Sequence, residues 1–180
     1  SEHSVMQPKA EVYAEITSLT VDDLSVDEIR LHHVFEHFNR VNALAMLIKW
    51  HRWLKVGGKL HIVTPDLEGC ARNLLGNTSW KTKMGAVRHL AGDQCAVWAY
   101  HIDHWFPQRF RQTYEKLGFG NIEIQTWAWD KEPFLANVEA HGFKVSDLPV
   151  ETLLQRADEL LWESCVAEEE REVHEIWKKQ

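Results

Sequence analysis

Two periodicities divide the chain. Ile29 and Leu31 alternate with polar neighbours into His32 and His33, and Leu60, Ile62 and Val63 lie in a second short run from Lys59 to Thr64, so both segments are predicted strands. Between them Val41, Leu44, Ala45, Ile48 and Leu54 recur at helical spacing, and Gly57-Gly58 reads as the helix C-cap. A strand, helix and strand of this length form a parallel, right-handed crossover. Upstream, Val12, Ala14 and Ile16 alternate as a further strand ending in a Thr17–Ser25 loop. Downstream, Leu67, Cys70, Ala71 and Leu74 predict a short helix. Met84, Val87, Leu90 and Ala91 form the apolar face of a mixed helical and loop stretch from Trp80 to Gln94. Pro107 opens a helix with Phe110, Tyr114 and Leu117 on one face and Gly118 at its end, followed by a strand from Ile122 to Trp129. Residues 134–141 read as helix, and residues 150–179 as one or two amphipathic helices.

Composition narrows the class without choosing a function. With 180 residues, 44% hydrophobic and 26% charged, the chain suits a folded α/β domain with its own core. No apolar run reaches the roughly 20 residues of a membrane span, and no signal-peptide pattern opens the chain, so the expected setting is cytoplasmic. The polar residues 1–10 receive no role. Cys70, Cys95 and Cys165 are widely spaced and odd in number, which speaks against a disulfide framework or a paired-cysteine zinc site and favours buried thiols. The net charge of −7, concentrated in residues 151–180 with nine acids against four bases, argues against a nucleic-acid partner.

In a parallel crossover, ligands bind beyond the carboxyl ends of the strands. That rule places His32, His33, Glu36 and His37 on one rim with Pro65 and Asp66. His33 to His37 also satisfies the HxxEH pattern of zinc peptidases, which requires a helix through both histidines. The residues before it read as strand, so no metal is assigned. Asp66 precedes a predicted helix and has the chemistry of an N-cap as well as that of a substrate-orienting carboxylate.

Ser25-Val26-Asp27-Glu28-Ile29, His33-Val34-Phe35-Glu36-His37-Phe38, the Trp50 to Gly58 segment and Thr64-Pro65-Asp66 together resemble the second half of class I S-adenosylmethionine-dependent methyltransferases. The similarity spans residues 11–130. It implies a truncated Rossmann-like sheet, mostly parallel with its last strand antiparallel, with helices on its faces. Residues 1–132 would form the partial methyltransferase-like domain, and residues 133–180 a helical C-terminal extension packed on it. It also implies methylation of a small molecule or a carbohydrate, with His33, Glu36, His37, Asp66 and His101 around the acceptor and Glu15, Ile16 and His32 beside S-adenosylmethionine. Tyr100, His104, Trp105 and Phe106 would add an aromatic, titratable wall.

The resembled family holds its cofactor against a glycine-rich turn, and this chain has no glycine before Gly57. Two expectations follow: weak cofactor affinity for this chain alone, with a non-catalytic assembly module as the competing reading, and an unpaired edge on the Ile29 to His33 strand. That edge would be filled by the residue 11–16 strand, in a homodimer, or by docking on another domain.

Overall fold

The computed structural model describes residues 11–180. The reading of residues 1–10 lies outside the described residues. The chain builds β1 (Val26–His32), α1 (Arg40–Trp53), β2 (Leu54–Pro65), α2 (Leu67–Leu75), α3 (Trp80–Ala91), α4 (Pro107–Lys116), β3 (Phe119–Trp129), β4 (Glu132–Lys144), α5 (Val150–Trp162) and α6 (Arg171–Trp177). The sheet order is β1-β2-β4-β3. β1 and β2 pair in parallel, while β4 runs antiparallel to both its neighbours, so three strands point one way and the last one opposes them.

The α1 crossover forms because its apolar stripe has a sheet to cover. Ala43, Leu44, Leu47, Ile48 and Trp50 pack into one core with Leu31, Leu60, Ile62, Val138 and Ala140, joined by Phe110 and Tyr114 of α4 and Leu153, Ala157 and Leu161 of α5. Burying each large side chain contributes about 1.5–3 kcal/mol. Asn39 caps α1 by accepting the Asn42 N–H at 2.8 Å.

Four expectations are corrected. Residues 134–141 are strand, not helix: β4 lies between β2 and β3 and satisfies both, so helix after the sheet starts only at Val150. Residues 11–16 form no strand, and Glu15 instead accepts the backbone N–H groups of Ser18 and Leu19 in a turn. Gly57-Gly58 does not cap α1, which ends at Trp53. The glycines lie in a bulge of β2 where the register jumps from Val26↔Leu54 to Glu28↔Lys59, and Gly57 has φ +84°. Of the cysteines only Cys70 is buried; Cys95 is exposed and Cys165 intermediate.

Candidate functional site

β1 delivers His32 and His33 to the carboxyl rim of the sheet, and the chain then turns sharply. His33 has φ +53°, an uncommon left-handed conformation for a residue with a side chain. A 3₁₀ turn over Phe35–His37 follows, pinned by Phe35, whose fully buried ring lies 4.8 Å from Trp105 and 5.8 Å from Trp50. With Phe35 anchored inward, Glu36 is also buried, at 1% exposure, while His37 remains half-buried.

The loop after α3 closes over this turn. The Glu36 carbonyl accepts the N–H groups of Ile102 (2.8 Å) and Asp103 (3.2 Å), and the Ala91 carbonyl accepts that of His101. Gly92 is required for this closure. Its φ is +79°, and a Cβ there would collide with the Ala99 carbonyl oxygen.

The outcome is one carboxylate ringed by imidazoles. His33 Nδ1 lies 3.1 Å from Glu36 Oε1, and His101 Nε2 lies 3.9 Å from the same oxygen. His37 Nδ1 is 2.9 Å from the Tyr100 carbonyl, and the His37 and His101 rings meet edge to face at 4.9 Å. A carbonyl only accepts, so His37 donates from Nδ1 and keeps a lone pair on Nε2 when neutral. Glu36 Oε2, His33 Nε2 and His101 Nδ1 are buried without hydrogen-bond partners. Burial lowers the His101 pKa against the opposing pull of Glu36, and burial followed by the His33 charge lowers that of His32.

His89 completes the ring and has no mark in the sequence. Its Nε2 donates to the Ala136 carbonyl (3.0 Å) and Asn137 Oδ1 (3.1 Å), and its ring lies 5.8 Å from that of His33. Burial pushes its pKa down too. Only the arrival of α3 over β4 brings it here.

The remaining candidates lie apart from this ring. Asp66 is fully buried as the N-cap of α2, accepting the N–H groups of Glu68 (3.1 Å) and Gly69 (3.0 Å), with Arg72 at 3.4 Å. Burial nonetheless raises its pKa. Glu15 and Ile16 do not reach the rim: the adjoining Thr17 carbonyl is bonded to Lys49, nine residues, or about 13 Å of helix, past Arg40. The aromatic wall is not formed, because Trp105 is buried in the core and Arg109 stacks on its ring at 3.9 Å. The HxxEH helix is absent as well, since β1 ends at His32 and only a 3₁₀ turn follows. A 430 Å³ cleft including Arg40, Asp103 and Arg109 holds none of the ring residues, and Arg109 is already paired with Asp103 at 2.7 Å.

No family model matches the chain, and no curated protein matches it. Among solved structures it is similar to a chain of the complex between the Haloferax volcanii Trm112 methyltransferase activator and a methyltransferase, at 15% identity and a TM-score of 0.51 over 76% of this chain and 61% of that one. A SAM-dependent methyltransferase of Thermotoga maritima aligns at 18% identity and a TM-score of 0.49, covering 73% of this chain and 61% of that one. One from Methanosarcina mazei aligns at 15% and 0.46, covering 73% and 65%. The likeness is one of fold: the chain has a methyltransferase-like α/β architecture and spans less than two thirds of the length of each of these structures.

Proposed function

We propose that this chain forms the acceptor side of an S-adenosylmethionine-dependent methyltransferase, with His33 as the general base and Glu36 as the group that orients it. The observation behind this reading is the 3.1 Å contact between His33 Nδ1 and the buried Glu36 carboxylate at the carboxyl end of β1. An ionised carboxylate only accepts, so His33 Nδ1 carries the proton and Nε2 keeps its lone pair. Once the rim opens around the buried, unpartnered His33 Nε2, an acceptor hydroxyl held there passes its proton to it, and Glu36 stabilises the imidazolium that forms. His37 and His101 line the same rim, and Asp66 holds the neighbouring turn through its cap. The acceptor class is a small molecule or a carbohydrate with a reactive hydroxyl.

S-adenosylmethionine, when bound, supplies an electrophilic methyl group on a sulfonium centre. Of the three residues expected beside it, His32 lies at the rim, exposed, whereas Glu15 and Ile16 do not. Gly57 and Gly58 bulge from the opposite end of β2, so among the described residues no glycine-rich turn stands at the rim. The cofactor therefore needs structure beyond the described residues.

The second reading is a non-catalytic docking module. It rests on the outer edge of β1, which has no strand partner among the described residues. A homodimer or another domain would cover that edge, in a cytoplasmic setting. The complex of a methyltransferase with an activator protein is a precedent for such docking.

Calorimetric titration with S-adenosylhomocysteine, paired with a labelled methyl-transfer assay on pools of hydroxyl acceptors, decides between the readings. Saturable binding with transfer that falls by about 100-fold or more in His33→Ala and Glu36→Gln supports the base assignment. Equal transfer by both variants removes it, and saturable cofactor binding by the chain alone removes the module.

A further inference from the structure

We propose that His61, Glu139 and His141 bind a divalent first-row transition-metal ion, of which zinc is the test case, on the sheet face opposite the core. His61 of β2 and His141 of β4 are direct cross-strand partners, and Glu139 stands two residues before His141 on the same face. Opposed side chains on such a pair start about 4.5–5.5 Å apart at Cβ, close enough for two imidazoles to share one ion. Here the rings lie 4.1 Å apart, and Glu139 Oε1 is 2.8 Å from Nε2 of both histidines. The separation between neighbouring ligand atoms around zinc, with bonds of roughly 2.0–2.1 Å, is about 3.3 Å, so a half-ångström opening of the group accommodates an ion.

Hydrogen bonding alone does not account for the convergence. His141 makes an aligned bond to Glu139, but His61 Nε2, in a side chain only 3% exposed, has no aligned partner despite its short contact with the same oxygen. A buried nitrogen left beside a carboxylate oxygen without an aligned hydrogen bond is costly unless something electrophilic joins them. Two neutral imidazoles and one carboxylate are the donor set of zinc and related ions, and three protein ligands leave a further position open towards the half-exposed side of Glu139 and His141. Burial, then the neighbouring His141, holds the His61 imidazole below its ordinary range, and the His141 hydrogen bond keeps Glu139 ionised. Both are the forms that coordinate metal. Arg30 and Lys59 also act on this face, and Lys59 has a carboxylate of its own in Glu28 at 3.7 Å.

The site shares no residue with the Glu36 ring, where Glu36, His37 and His101 also bring ligand atoms together. The test is zinc titration of the purified chain against a chromophoric chelator, with cobalt absorption as the geometric readout. Glu139→Gln and His141→Ala alter partly exposed side chains and leave buried His61 intact, while His37→Ala reports on the other ring. The expected result is one zinc equivalent that magnesium does not displace, weakened at least about 100-fold by Glu139→Gln and by His141→Ala and unchanged by His37→Ala. Three results overturn the proposal: no saturable zinc binding, binding that both sheet variants retain, or binding lost only in His37→Ala.

Discussion

Leu60 and His61 are neighbours in sequence and opposites in surroundings, and the two faces of the sheet differ as these two residues do. On the Leu60 face, Leu31, Ile62, Val138 and Ala140 join side chains from α1, α4 and α5 in one apolar core. On the His61 face, buried His61, Val63 and Asn137 are flanked by exposed Arg30, His32, Glu123 and Gln125 and the half-buried pair Glu139 and His141. A sheet with one dry face and one wet face is ordinary for antiparallel pairs, but parallel strands are normally covered on both sides. The difference teaches that β1 and β2 keep the parallel pairing of a two-sided fold while presenting the chemistry of a one-sided one. The apolar burial therefore sits largely on one face, while most titratable side chains of the strands sit on the other.

The largest effect expected from this asymmetry is loss of stability on truncating the dry face. Trp50→Ala should cost about 3–5 kcal/mol in urea denaturation, whereas Arg30→Ala and Gln125→Ala should stay within about 0.5 kcal/mol. Comparable losses on both faces would mean that something covers the wet one. The next effect is acid sensitivity on the dry face, where His51 is fully buried and both its ring nitrogens lack partners. Burial, assisted by the Lys144 charge, pushes its pKa down from 6.5 to about 4. The unfolded chain thus binds a proton that the folded one refuses. This contribution to stability is intact above pH 6.5 and is lost as the pH falls towards 4, amounting to roughly 3 kcal/mol. Melts from pH 7 to 4 should show that slope, and His51→Leu should flatten it.

Legibility in the sequence follows the same division. β1, α1, α4 and β3 were readable because each has an apolar stripe of unambiguous period facing the core. β4 was misread: Phe134, Val138 and His141 fit a helical spacing, alanines at 136 and 140 are poor strand signals, and only pairing with β2 and β3 makes the segment a strand. At the rim, His33, Glu36, His37 and His101 could be nominated because strand ends and a resembled motif are local. His89 and Asn137 could not, since α3 and β4 meet only in the folded chain. The His61 and His141 pair was hidden for the same reason, being a matter of register between strands 80 residues apart.

A smaller effect separates capping from charge at Asp66. Asp66→Ala removes a cap that serves two N–H groups and should cost about 1 kcal/mol, while Asp66→Asn keeps one of the two acceptor oxygens. Because burial raises the Asp66 pKa, its ionised form is disfavoured in the fold, which offsets part of the lost cap, so Asp66→Asn should fall between the wild type and Asp66→Ala at pH 7. If Asp66→Asn were as destabilising as Asp66→Ala, the pairing with Arg72 would matter more than the cap.

The smallest effect leaves global stability untouched and bears on whether the wet side is covered in solution. Just past β1 the His33 N–H bonds the Val63 carbonyl, so by alternation the amides of Ile29, Leu31 and His33 face β2, while those of Arg30 and His32 face the open edge. Residues 11–16 form no strand, so they do not fill that edge. For a lone chain, amide exchange should therefore alternate along a single strand, with Arg30 and His32 at least about 100-fold faster than Leu31. A second copy or another domain pairing there would slow precisely that outer set and leave the inner set unchanged, because the inner amides already have partners in β2. Residue-resolved exchange at two concentrations, read beside sedimentation equilibrium, separates these cases. Concentration-dependent protection of Arg30 and His32 marks a strand-paired dimer. Concentration-independent fast exchange in a sedimenting dimer places the contact elsewhere, and slow exchange in a monomer would mean that the chain closes its own edge.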